Sequence, residues 1–96
     1  MMNKKRIYVE QGIYIILNNG KVPKKSFEVA KRRKFHRLPD AMRLFKVLYN
    51  NWNTVYMYDT KEGYMVEFKA YTESLEEAIE LRNKVEYLIG VLESEE

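Results

Sequence analysis

Cations are the side chains in this sequence with the clearest chemistry. Lys31-Arg32-Arg33-Lys34 puts four positive charges in a row. Lys24, Lys25, Arg37 and Arg43 extend the cluster on both sides, with Lys21 and Lys46 at its margins. Guanidinium and ammonium groups at this density neutralise phosphates and release their counterions, so the cluster points to nucleic-acid binding with steep salt dependence. Phe35 and His36 lie inside it, where an aromatic ring can stack on a base or pack beneath a sheet. Lys34 and Arg37 come just before an expected helix start, where free amides and the helix dipole favour an anion.

A second charged group is acidic. Glu73, Glu76, Glu77 and Glu80 gather at the start of the last expected helix, and Glu86 follows. Glu73, Glu77 and Glu80 are three to four residues apart and can share a helix face. Such a face could hold a cation, but a solvated helix N-terminus explains it more simply. The charge splits along the chain. Residues 1–48 carry thirteen Lys or Arg against Glu10, Glu28 and Asp40, a net of +10. Residues 49–96 carry four bases against eleven acids, a net of −7, and the whole chain reaches only +3. Either the halves satisfy each other electrostatically, or one meets a phosphate partner and the other a basic one.

Other chemistries are excluded or unsupported. Cysteine is absent and His36 is the single histidine. Disulfides, thiolate zinc sites, cysteine nucleophiles and multi-histidine metal sites are therefore ruled out within the chain. His36 has no evident Ser or Asp partner and reads as part of the basic patch. No glycine-rich phosphate loop is present. We accordingly expect no catalytic residue, metal or cofactor. The apolar run at residues 13–17 is shorter than the roughly 7–15 residues of a signal core and the roughly 20 of a membrane span. The expected setting is the cytoplasm of a bacterial or archaeal host cell, with no membrane partner.

The elements that must position these groups follow from periodicity. Residues 6–10 and 13–17 read as strands separated by Gly12, and Asn18-Asn19-Gly20 as a hairpin turn. Pro23 cannot donate to a ladder, so the return strand is expected to break there or lie on an edge. Residues 26–30 suggest a third strand with Phe27 and Val29 on one face. Pro39 and Asp40 suit the first turn of a helix. Ala41, Leu44, Phe45, Leu48 and Trp52 form its apolar stripe, and Asn50, Asn51 and Asn53 end it. Residues 54–58 and 64–71 form a hairpin around a loop of four to five residues at 59–63. Val66, Phe68 and Ala70 share one face, and Glu67 and Lys69 the other. Ser74-Leu75-Glu76-Glu77 is a capping box. It opens a second helix with Ala78, Leu81, Val85, Leu88 and Leu92 in a stripe, flanked by Ile79 and Ile89. The tail from Glu93 is expected to fray.

The two helices align at a constant offset of 37, Leu38-Pro39-Asp40-Ala41 on Leu75-Glu76-Glu77-Ala78, and each follows a hairpin ending in an aromatic residue. The chain therefore reads as one α+β domain over residues 1–96, ordered ββ(β)α–ββα. Half-repeats at residues 6–52 and 54–92 would reflect an internal duplication. An antiparallel sheet of four or five strands carries both helices on one face. The other face is left to solvent or a partner, and the surplus aromatics must go there.

Strand, charged turn, strand, aromatic and then Thr72-Glu73-Ser74-Leu75-Glu76-Glu77-Ala78 opening a helix is a pattern over about 31 residues, 55 to 85. It resembles the DNA-binding domain of ethylene-response factors of the APETALA type and related phage-integrase domains. In that family the sheet enters the major groove, and Arg and Trp from its strands contact DNA. The corresponding strands here offer Tyr56, Tyr58, Tyr64, Glu67 and Lys69 instead, so those reading residues do not carry over. In size and composition the chain also resembles small phage anti-CRISPR proteins, several of which present acidic faces that mimic DNA.

Two functions are thus in view. The first is a small non-enzymatic module binding DNA or RNA, with Lys24, Lys25, Lys31, Arg32, Arg33, Lys34, Arg37 and Arg43 on phosphates. The alternative is a phage or mobile-element protein that inhibits a host nuclease, such as a CRISPR nucleoprotein complex, by protein contact. Tyr56, Tyr58, Tyr64, Glu73, Glu76, Glu77 and Glu80 would then face the partner. Tyrosine-dense surfaces also suit protein interfaces generally, a homodimer among them.

Overall fold

The computed structural model describes residues 3–19 and 24–94. Their order is β1 (Asn3–Glu10), β2 (Ile13–Asn19), β3 (Lys24–Phe35), α1 (Leu38–Asn51), β4 (Val55–Thr60), β5 (Gly63–Thr72) and α2 (Leu75–Ser94). All five strands form one antiparallel sheet in the order β1-β2-β3-β5-β4. The fold is the α+β arrangement read from the sequence, with the fifth strand present.

Two connections show why the chain turns where it does. Gly12 in the β1–β2 turn has φ +78°, the left-handed region that a side chain disfavours. Its carbonyl accepts the Ala30 amide at 2.9 Å, tying the turn to β3. Gly63 has φ +147°, and a Cβ there would collide with the Phe35 carbonyl oxygen. The β4–β5 turn consists only of Lys61 and Glu62, because Asp59 and Thr60 continue β4 as far as the Thr60–Gly63 pair. It is shorter than the expected four to five residues. The Asn-Gly turn and Pro23 between β2 and β3 fall partly or wholly outside the described residues. The antiparallel pairing they were expected to produce is present. β3 begins at Lys24, and its position is central rather than at an edge.

β3 is the spine of the molecule. It runs twelve residues, past the expected end at Ala30, through the basic run to Phe35. It pairs with β2 through its first half and with β5 from Phe27 to Phe35. Strand alternation sends Phe27, Val29, Lys31, Arg33 and Phe35 to one face, and Glu28, Ala30, Arg32 and Lys34 to the other. Across the ladder, Val66, Phe68 and Ala70 join the first face, as expected, and Glu67, Lys69 and Tyr71 join the second.

Both helices cover the first face. Ala41, Leu44 and Leu48 of α1 and Ala78, Val85 and Ile89 of α2 share one core with Ile13, Phe27, Val29, Val55, Val66 and Phe68. Trp52 caps α1 and packs edge-on against Phe68, with ring centroids 5.2 Å apart. Ile89, expected at the flank of its stripe, is buried, whereas Leu81 and Leu88 are half-buried. The Ser74 hydroxyl accepts the Glu77 amide at 3.2 Å, the Ser half of the capping box. Glu93, expected to fray, lies within α2.

α1 lies mainly over β5 and β4, and α2 mainly over β3, with contacts to β2 and β5. Each helix therefore covers chiefly the strands of the other half. The hairpins β2–β3 and β4–β5 meet at the antiparallel β3–β5 ladder. β1 is an additional strand on one edge. Each helix also touches one strand of its own half, α1 on β3 and α2 on β5, but most of each apolar stripe is covered by the other half.

Candidate functional site

The basic run does not form one patch. Lys31 points to the helix side, where its ammonium meets Glu86 of α2 at 2.5 Å and its side chain is only 10% exposed. Arg33, also on that side, bonds Glu93 at 3.0 Å near the end of α2. Arg32 and Lys34 point to the helix-free side. Arg32 stands 3.8 Å from Glu67, and Lys34 pairs with Glu62 in the β4–β5 turn. Arg37 bonds Asp40 at 3.2 Å across the first turn of α1, and Arg43 is exposed on α1. Lys25 is exposed, its ammonium 5.3 Å from the Phe27 ring centre. The side chain of Lys24 lies outside the described set.

Four cations of the run thus meet four acids of the acidic half, and Arg82 of α2 returns the exchange by bonding Glu10 at 2.8 Å. Much of the charge split is satisfied within the molecule. The pairs differ in strength. Lys31 is held where water is largely excluded. Arg32, Arg33 and Lys34 are themselves exposed, in pairs of the kind that contribute about 0–1 kcal/mol and that a phosphate can displace.

The helix-free side also carries a concavity of about 520 Å³. Ala30 supplies little bulk at its centre, and Arg6, Tyr14, Ile16, Glu28, Arg32, Glu67, Lys69 and Tyr71 surround it. Glu28 forms part of the floor. It is 3% exposed, the one buried charged residue among those described. Its carboxylate accepts from Arg6 Nε at 2.7 Å and from the Tyr71 hydroxyl at 3.2 Å. Arg6 in turn stacks on Tyr14, its guanidinium carbon 3.5 Å from the ring centre. Burial opposes the Arg6 charge, but the bond to Glu28 and that residue's charge outweigh it and hold the guanidinium pKa above its ordinary value. Burial, reinforced by the Glu28 carboxylate, pushes the Tyr71 phenol up. In the β4–β5 turn, outside the concavity, the hydrogen bond and charge of Lys34 hold the Glu62 carboxyl below the usual range.

The surplus aromatics go to the uncovered face only in part, since Tyr49 and Tyr87 are exposed on the helices. Tyr8, Tyr56, Tyr58 and Tyr71 are exposed, and the register places all four on the helix-free side. Tyr8 meets Tyr14 edge-on at 5.7 Å. Tyr64 differs: it is half-buried on the helix side opposite Phe35. Glu73, Glu76, Glu77 and Glu80 are all exposed at the start of α2, away from the concavity. No group of three or more metal-ligating side chains occurs among the described residues, and no described helix is long and apolar enough to cross a membrane.

Sequence reasoning singled out Arg32 and Lys34 but not Arg6, Tyr14, Glu28 or Tyr71 as site residues. Glu28 left a signal: it is one of three acids in the basic half, set between the core residues Phe27 and Val29, where alternation turns it away from the core. Arg6 and Tyr71 lie 22 and 43 residues from it in sequence, so the pairing exists only through the sheet. Compared with known proteins, the chain matches no family model, no curated protein and no solved structure.

Proposed function

We propose that this chain is a small non-enzymatic module that binds single-stranded nucleic acid on the helix-free face of its sheet. The observation that carries the reading is the composition of that one uncovered face: exposed tyrosines interleaved with Arg6, Arg32, Lys34 and Lys69. Bases stack on aromatic rings with little regard to sequence, and cations between the rings follow the phosphates. Arg32 and Lys34 are the members of the basic run suited to this role. Lys31 and Arg33 are turned to the helix side and engaged by α2, Lys31 in a largely buried pair and Arg33 in an exposed one.

Anisotropy of labelled single-stranded DNA and RNA, titrated with salt, tests the reading. With three or four phosphates neutralised, log K against log salt should fall with a slope of about −2 to −3, at about 0.7 per phosphate. Charge reversal of Arg32 and Lys34 together should abolish binding. Unchanged affinity in that double variant, or no binding by the unaltered protein, overturns the proposal.

One observation favours a second reading, inhibition of a host nuclease by protein contact. Glu86 and Glu93 are engaged by Lys31 and Arg33, while Glu73, Glu76, Glu77 and Glu80 stay exposed in a short acidic tract. Such a tract can stand in for a line of phosphates. Nuclease inhibition that is lost when Glu76, Glu77 and Glu80 become Lys would favour this reading, and inhibition that persists would remove it.

A further inference from the structure

We propose that the concavity over Glu28 seats a single nucleobase and that Glu67 makes guanine the preferred base. The inference deepens the nucleic-acid reading above and rests on it. At about 520 Å³ the space falls within the roughly 300–1,000 Å³ typical of small-ligand sites. Tyr14 and Tyr71 line its wall, and both are held in place, Tyr14 by the stacked Arg6 and Tyr71 by its bond to Glu28. Arg32 and Lys69 stand beside it for the phosphate.

The two carboxylates of the concavity are in different states. Both oxygens of Glu28 are occupied, by Arg6 and by Tyr71. The one polar partner of Glu67 among the described residues is Arg32 Nε at 3.8 Å, beyond hydrogen-bond length. Glu67 therefore keeps its acceptor capacity while lining the concavity, half-buried and opposite Tyr56. An ionised carboxylate only accepts. Guanine alone among the common bases carries two adjacent donors on one edge, the ring N1–H and the exocyclic amino group. Adenine and cytosine set an amino group beside a ring acceptor, and uracil and thymine set one N–H between two carbonyls. Each of these would place a lone pair against a carboxylate oxygen. A guanine in a strand and a free guanine nucleotide share this chemistry.

The test uses an oligothymidine carrying one central guanine, adenine or hypoxanthine, the plain oligothymidine, and guanosine monophosphate as competitor. We expect the guanine strand to bind about tenfold more tightly than the adenine strand, the scale of one bidentate base contact. Hypoxanthine, which lacks the amino group, should fall between them. Glu67→Gln turns one acceptor into a donor and should move the preference to adenine. Displacement of the guanine strand by guanosine monophosphate, but not by the adenosine analogue, would identify the free nucleotide as a ligand. A guanine preference without that displacement would identify the strand. Equal affinity for all four strands overturns the base site and leaves the surface reading standing. Binding of none overturns both. Guanine preference retained in E67Q overturns the role of Glu67.

Discussion

The two faces of β3 treat one run of cations in opposite ways. Lys31 and Arg33 turn toward the helices, where Glu86 and Glu93 of α2 receive them. Arg32 and Lys34, one residue along, turn to a face that no helix covers, where their partners Glu67 and Glu62 are cross-strand or turn residues. The chemistry of the four side chains is nearly the same, and their surroundings are not. On the covered side Lys31 acts as a bolt between layers, and Arg33 reaches the exposed end of α2. On the open side a cation remains available to a ligand, since exposed pairs add little stability. A count of positive charges therefore overstates the binding surface about twofold for this run, by the alternation of a strand.

The contrast can be broken or sharpened experimentally, beginning with the largest expected effect. Phe68→Ala, at a fully buried position under Trp52, should cost about 3–5 kcal/mol in urea denaturation. Tyr56→Ala, cross-strand from Glu67 on the open face, should cost about 0.5 kcal/mol or less. Equal losses would mean that the second face is not open. Glu28→Ala should cost about 1–3 kcal/mol, because it removes a charge-assisted bond to Arg6 and a second bond to Tyr71. A neutral result would detach the floor of the concavity from the fold. Lys31→Ala should lower stability by about 1–2 kcal/mol and leave nucleic-acid affinity alone, whereas Arg32→Ala should do the reverse. Matching outcomes for these neighbours would remove the distinction between the faces.

The smallest effects concern pH. With its phenol pushed up by burial and by Glu28, Tyr71 should ionise above the ordinary phenol range in an ultraviolet titration, and Tyr71→Phe should remove that late step. The folded state then holds that proton more tightly than the unfolded chain. The associated stability is intact below the ordinary phenol value of about 10 and is lost as pH rises through the raised one. Tyr71→Phe should flatten that alkaline decline. Glu62 works the other way: its contribution is present above the ordinary carboxylate value and fades as pH falls through the lowered one. Lys34→Ala should erase that slight acid dependence, and a calorimetric scan between pH 5 and pH 2, on the order of the range over which carboxylates titrate, would show it.

Most elements were legible because their signals are local. The stripe of Ala41, Leu44 and Leu48 repeats with the helix, and Val66, Phe68 and Ala70 alternate with the strand. Ser74 caps the helix that its spacing from Glu77 announces. The length of β3 was not legible, since four adjacent cations look like a solvated loop until β5 pairs with them as far as Phe35. The central place of β3 behind Pro23, and the crossing of each helix onto the other half, were likewise hidden. Both depend on which strands meet, and that is set by the burial of all the apolar faces at once.

By itself the sequence determined which side chains share a face, because strand and helix periods are properties of the backbone. It therefore determined that Arg32 and Lys34 part from Lys31 and Arg33 once the segment is a strand. Only the tertiary structure decided which face the helices would cover, and hence which two cations were left open. It alone brought Arg6, Glu28 and Tyr71 together and left Glu67 with acceptor capacity to spare. Those contacts join residues far apart in the chain, and their geometry is fixed by ladder register and helix packing, which no local pattern records.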